Sequence, residues 1–155
     1  MGVKKCEYIL LGDSSGGNLA CSLLNFIISN GLKKPISVIL NYPAININIY
    51  RYTKSLMYSI EDAILSFTTL LFSSLGYQEK DDDCVNNPYI SPIKTPDSIL
   101  QQYPPVFLLY GTKDPLCDDS QRLLDRLLVN RVECLGFKYV GYPHGVLNLC
   151  IPMGL

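Results

Sequence analysis

Four compact apolar runs constrain this chain more than any other feature. They are Cys6–Leu11 and residues 36–43, 104–111 and 134–141, each short and bounded by glycine, proline or polar residues. Runs of this kind suit strands of a parallel sheet, where apolar residues follow one another without strict alternation because both faces are covered. Between them lie segments with helical spacing. From Gly16 to Ser29 the residues Leu19, Leu23, Leu24, Ile27 and Ile28 recur at that period, and Asn30-Gly31 is a stop signal. Ser59 with Asp62 resembles a capping box ahead of Ile64, Leu65, Leu71, Phe72 and Leu75, a helix running to Gly76. Asp118 or Asp119 is positioned to cap a helix carrying Leu123, Leu124, Leu127 and Leu128 that ends near Asn130. Residues 44–58 have no clean period, and the polar, proline-bearing stretch 78–98 reads as a long loop. Strand–helix alternation predicts an α/β protein with a mostly parallel sheet.

Composition excludes several classes. A chain of 155 residues, 48% hydrophobic, is long enough for one domain with a core. Its net charge of -1 argues against nucleic acid, whose phosphates call for a basic excess. Lys33-Lys34 reads as the solvated end of a helix. Six cysteines contain no C-x-x-C, and one histidine leaves few partners for zinc, so reduced structural thiols are expected and no metal. No apolar run approaches the ~20 residues of a membrane span and Met1 opens no signal-peptide pattern, so a soluble, cytoplasmic protein without stable membrane insertion is the expectation.

Within "YILLGDSSGGN", Gly12-Asp13-Ser14-Ser15-Gly16 matches G-x-S-x-G, with Ser14 at the serine position. An apolar run precedes it and a helical pattern follows, the context a nucleophile elbow requires. Gly12 and Gly16 meet the need for small neighbours in a tight turn, and Gly17 lets the helix pack close to the sheet. The helix start leaves the Ser15 N–H available to an oxyanion. A phosphate loop is disfavoured because G-K-[ST] is missing, a dinucleotide fingerprint because G-x-G-x-x-G is not matched, and a plain strand–helix turn remains the bland alternative. A nucleophilic serine needs a base, and the only histidine, His144, lies in "YPHGVLNL" directly after the fourth run. Asp114, in "LLYGTKDPL", stands between the two in chain order as an α/β-hydrolase acid should; its competing role is an Asx turn.

With these residues in place, the chain resembles the hormone-sensitive lipase branch of the α/β-hydrolases. "GDSSGGN" is similar to that branch's G-D-S-A-G-G-N elbow, with Ser15 for alanine. "YPPVFLLYGTKDPLCDDS" resembles the segment bearing its acid, and "PHGVLNL" its P-H-G-F histidine loop, with Val146 for the aromatic. "NYPA" and "NPYISP" are similar to intervening family segments. The matches run in order from about residue 4 to residue 149.

The resemblance implies Ser14, Asp114 and His144 as catalytic triad, the Ser15 N–H as one oxyanion donor, a small-molecule ester or acylglycerol substrate and no cofactor. The family's H-G-G-G oxyanion loop does not occur here. The expectation is therefore a partial domain over 1–155, the C-terminal half of an α/β-hydrolase without its N-terminal strands and cap. Truncation, a split gene or an incompletely read gene would each produce it. Ester hydrolysis by such a piece alone should be weak or nil, and its exposed sheet edges favour self-association. Two alternatives stay open: a non-catalytic ligand-binding protein on the same fold, and a serine peptidase or amidase.

Overall fold

The computed structural model describes residues 6–48, 53–58, 60, 62–78 and 84–147. Its centre is a parallel four-stranded sheet, β1 (Ile9–Asp13), β2 (Ser37–Asn41), β3 (Val106–Gly111) and β4 (Cys134–Tyr139), ordered β1-β2-β3-β4. The helices are α1 (Ser15–Ser29), α2 (Lys54–Tyr58), α3 (Phe67–Tyr77), α4 (Asp97–Leu100) and α5 (Cys117–Val129), with a 3₁₀ turn at Pro92–Lys94. The expected α/β architecture is present. Among the described residues no helix is long and apolar enough to cross a membrane.

The register explains how one face becomes core. Leu10, Val38, Val106 and Cys134 align across the sheet, and so do Gly12, Leu40, Leu108 and Gly136. Ala20, Cys21, Leu24 and Ile28 of α1 and Leu123 and Leu127 of α5 pack on these rows in a single apolar cluster. Removing a fully buried leucine such as Leu24, Leu40 or Leu108 to alanine typically costs about 2–5 kcal/mol.

The opposite face corrects the sequence reading of strands covered on both sides. The row Leu11, Ile39, Phe107, Leu135 alternates with the core rows. Leu11 is 63% exposed, Leu135 50% and Phe107 37%. Side chains of successive strand residues point to opposite faces, so β1 and β4, which also form the edges, present apolar residues to solvent.

Three further expectations shift. The segment after 59 turns first at Asp62, whose carboxylate accepts the N–H groups of Ile64 and Leu65. α3 begins only at Phe67, where the Ser66 hydroxyl accepts from the Thr69 N–H; Ser59 lies outside the described residues. Asp118 and Asp119 do not cap α5. They sit in its first turn behind Leu116, where the helix dipole favours a carboxylate. Asp118 instead accepts the Ser55 N–H. Finally, the stretch read as a long loop contains the 3₁₀ turn and the start of α4. A polar stripe of α1 holds it: Asn18 donates to the Ile90 carbonyl, Ser22 to that of Tyr89 and Asn25 to that of Pro88.

Cys6, Cys21, Cys84, Cys117 and Cys134 have free thiols, and burial pushes that of Cys21 up to about 12; Cys150 lies outside the described residues.

Candidate active site

Ser14 occupies the turn between β1 and α1 with φ 52 and ψ -116, a strained conformation for a residue with a Cβ. Backbone bonds hold it there. Its N–H donates to the Asn41 carbonyl at 2.9 Å, and its own carbonyl accepts the N–H groups of Gly17, Asn18 and Ala44. The turn is as tight as the sequence implies. A Cβ on Gly12 would lie 2.2 Å from the Gly16 carbonyl oxygen, and one on Gly17 would lie 2.6 Å from the Pro43 Cβ. Gly16 is different. A Cβ there would meet nothing within 4 Å among the described residues, so its own smallness is not what the turn requires. Ser15, first residue of α1, has no acceptor one turn back for its N–H, which leaves that donor beside the Ser14 side chain.

Asp114 follows β3 and is 1% exposed; His144 follows β4 and is 8% exposed. The imidazole Nδ1 lies 2.9 Å from Asp114 Oδ2, and Nε2 lies 2.9 Å from Ser14 Oγ. A carboxylate only accepts, so Nδ1 carries the proton and Nε2 is left to accept from the Ser14 hydroxyl. Asp114 Oδ1 also accepts the Leu116 N–H at 2.8 Å, so the Asx-turn role and the role beside His144 coexist in one side chain.

Sequence reasoning missed what brings these loops together. A Cβ on Gly111 would lie 2.1 Å from the Tyr142 carbonyl oxygen. That carbonyl accepts the Lys113 N–H at 3.0 Å, and Thr112 Oγ1 accepts the Gly141 N–H at 2.8 Å. Gly111 closes the third apolar run, and a glycine just before a loop acid was the available signal. Tyr42 was missed too, although "NYPA" stood out as a segment.

Beside the elbow lies a cavity of about 240 Å³ bordered by Ser15, whose wall surface is mostly apolar, with Leu19, Ala44, Ile47, Leu56, Leu70 and Leu116 among the residues lining it. Asp119 also borders it; burial raises its pKa, against the opposing hydrogen bond from Asn46 and the charge of Arg122. Among the described residues no group of three or more His, Cys, Asp or Glu side chains is placed to hold a metal ion.

A parallel sheet with a strained serine on its first strand–helix turn, hydrogen-bonded to a histidine from its last strand end, defines a hydrolase-type α/β architecture. The family model described as alpha/beta hydrolase fold matches residues 1–148, and the chain belongs to that family. Its relatives are of the hormone-sensitive lipase type. Hormone-sensitive lipase of Homo sapiens is 41% identical over 66 residues, 42% of this chain and 6% of that protein. An esterase of Acinetobacter venetianus is 29% identical over 126 residues, 81% of this chain and 40% of that protein. Among solved structures, an esterase of Pyrobaculum calidifontis superposes with a TM-score of 0.78 at 30% identity, covering 89% of this chain and 44% of that one. This chain thus spans less than half the length of each.

Proposed function

We propose that the chain carries the nucleophile, base and acid of a carboxylic ester hydrolase that works through an acyl-serine intermediate. The observation that carries this reading is the pair of 2.9 Å contacts linking Asp114, His144 and Ser14 in line. Ser14 Oγ attacks the ester carbonyl while His144 Nε2 takes its proton. The resulting oxyanion receives the Ser15 N–H, and Asp114 stabilises the imidazolium that forms. Collapse expels the alcohol, protonated by Nε2. Water activated by the same nitrogen then attacks the acyl-serine and releases the acid. The apolar cavity beside Ser15 suits the hydrocarbon part of an ester or acylglycerol substrate. No step calls for a cofactor.

A fluorophosphonate probe tests this directly, since it requires only an activated serine. Attack on phosphorus forms an O–P bond, expels fluoride and passes the hydroxyl proton to His144. We expect a single adduct on Ser14, lost in Ser14→Ala and slowed at least about 10²-fold in His144→Gln, the order by which positioned acid–base groups accelerate proton transfer. Labelling that persists in Ser14→Ala would remove Ser14 from the mechanism.

A further inference from the structure

We infer that Tyr42 is a positioning residue for His144: its buried ring, in edge contact with the imidazole, holds the imidazole in the orientation that joins Asp114 to Ser14. The inference rests on the proposed roles of those three residues. Tyr42 immediately follows β2, is 1% exposed, and meets the imidazole in an edge contact, with ring centroids 4.9 Å apart and planes at 64°. Its hydroxyl lies 3.5 Å from Asp13 Oδ2. One side chain therefore lies against both the residue before the nucleophile and the base.

The backbone at Tyr42 adds an independent observation. Its φ is 38, in the left-handed region that glycine or asparagine enters far more easily than an aromatic residue. The conformation is fixed by the elbow: Asn41 accepts the Ser14 N–H, Ala44 donates to the Ser14 carbonyl, and the Tyr42 N–H donates to Leu109 at 2.6 Å. A position whose backbone favours glycine carries instead a buried ring facing the base. A side chain held against its backbone preference is one whose side-chain contact matters.

The ring also answers a need of the reaction. The torsion that turns an imidazole about its Cβ–Cγ bond is broad. Before attack, bonds to Asp114 and Ser14 fix it from both nitrogens. Once Ser14 is acylated, Oγ no longer donates to Nε2, and the Asp114 bond is left with the Tyr42 edge to keep the ring aimed at incoming water.

His144 is the only histidine, so its imidazole nitrogen signals can be read by NMR without assignment. The experiment uses the whole chain carrying Ser14→Ala, which removes the serine bond as acylation does. With Tyr42 present, His144 should remain one Nδ1–H tautomer. Tyr42→Met, which fills the space without a ring edge, should give an averaged mixture of both tautomers, as should Tyr42→Asn, which suits the backbone. Tyr42→Phe should keep the single tautomer. With Ser14 restored, fluorophosphonate labelling should slow about 10-fold or more in Tyr42→Met and stay within about 3-fold in Tyr42→Phe, relative rates being taken per folded molecule. Folded Met or Asn variants that keep the single tautomer would overturn the proposal, leaving Tyr42 a packing residue. So would a Phe variant that loses it. Failure of the underlying reading looks different: no Nδ1–H tautomer, or no Ser14 labelling, with Tyr42 intact.

Discussion

Gly111 lies so close under Tyr142 that a Cβ added to it would stand 2.1 Å from the Tyr142 carbonyl oxygen. The contact joins the loop carrying Asp114 to the loop carrying His144, two residues beyond Tyr142. Neither loop can approach the other if residue 111 has a side chain. Gly111→Ala should therefore push the histidine loop away from Asp114. A displacement of about 1 Å at a reacting group can cost about 10²-fold in rate. We expect fluorophosphonate labelling of Ser14 to fall by about that factor, together with a lower midpoint in urea unfolding. Labelling at the parent rate in a folded Gly111→Ala protein would show that the loops do not need the close approach.

The elbow glycines make a matched pair of predictions. A Cβ on Gly12 collides with the Gly16 carbonyl, which is backbone and cannot swing away, whereas one on Gly16 meets no described atom. Gly12→Ala should unfold the elbow or abolish labelling. Gly16→Ala should fold and label within about 3-fold of the parent, because the added methyl meets no described atom and the residue already has helical backbone. Circular dichroism beside the labelling assay separates the two. Equal damage from both substitutions would mean that smallness at 16 matters for a reason other than sterics.

These contrasts show which parts of the molecule can be read from residue types. The apolar runs marked all four strands because a parallel sheet tolerates continuous hydrophobics. They did not reveal that Leu11 and Phe107 face solvent, since the composition of a strand does not say whether anything covers it. The Ser14–Asp114–His144 order was legible because one histidine leaves one choice of base. Asp118 and Asp119 were misplaced by two or three residues: a carboxylate near a helix start satisfies the same dipole as a cap or as a first-turn residue. Tyr42 had no signal at all, because a left-handed φ on a tyrosine is imposed by distant backbone bonds rather than by its neighbours.

Asn25 offers a test of how the segment after residue 84 is held. It is 2% exposed and donates to the Pro88 carbonyl and Thr95 Oγ1, while accepting from the Tyr103 hydroxyl at 2.6 Å. Asn25→Ala leaves the buried Tyr103 hydroxyl without its acceptor and takes a donor from the part-buried Pro88 carbonyl, while Thr95 Oγ1 keeps its bond to the Pro92 carbonyl; each unsatisfied buried group costs about 1–3 kcal/mol. We expect a loss of about 3 kcal/mol in urea unfolding, against about half that for Tyr103→Phe, which removes only the hydroxyl. A change below about 0.5 kcal/mol in Asn25→Ala would mean that water replaces the network.

Asp119 predicts a pH dependence of definite sign. Burial raises its pKa in the folded protein, and the Asn46 hydrogen bond and Arg122 oppose that shift. In the unfolded chain the carboxyl titrates near its ordinary value of about 3.9. Between that value and its folded pKa, the folded state binds more protons than the unfolded state, so stability falls as pH rises through the window. Above the folded pKa the full cost of a buried carboxylate is present. Asp119→Asn removes this titration at nearly constant side-chain shape. The unfolding free energy of the parent minus that of the variant, measured in urea from about pH 4 upward, should therefore decrease with pH and then level off. A difference that increased with pH would mean that Asn46 and Arg122 stabilise the carboxylate more than burial penalises it.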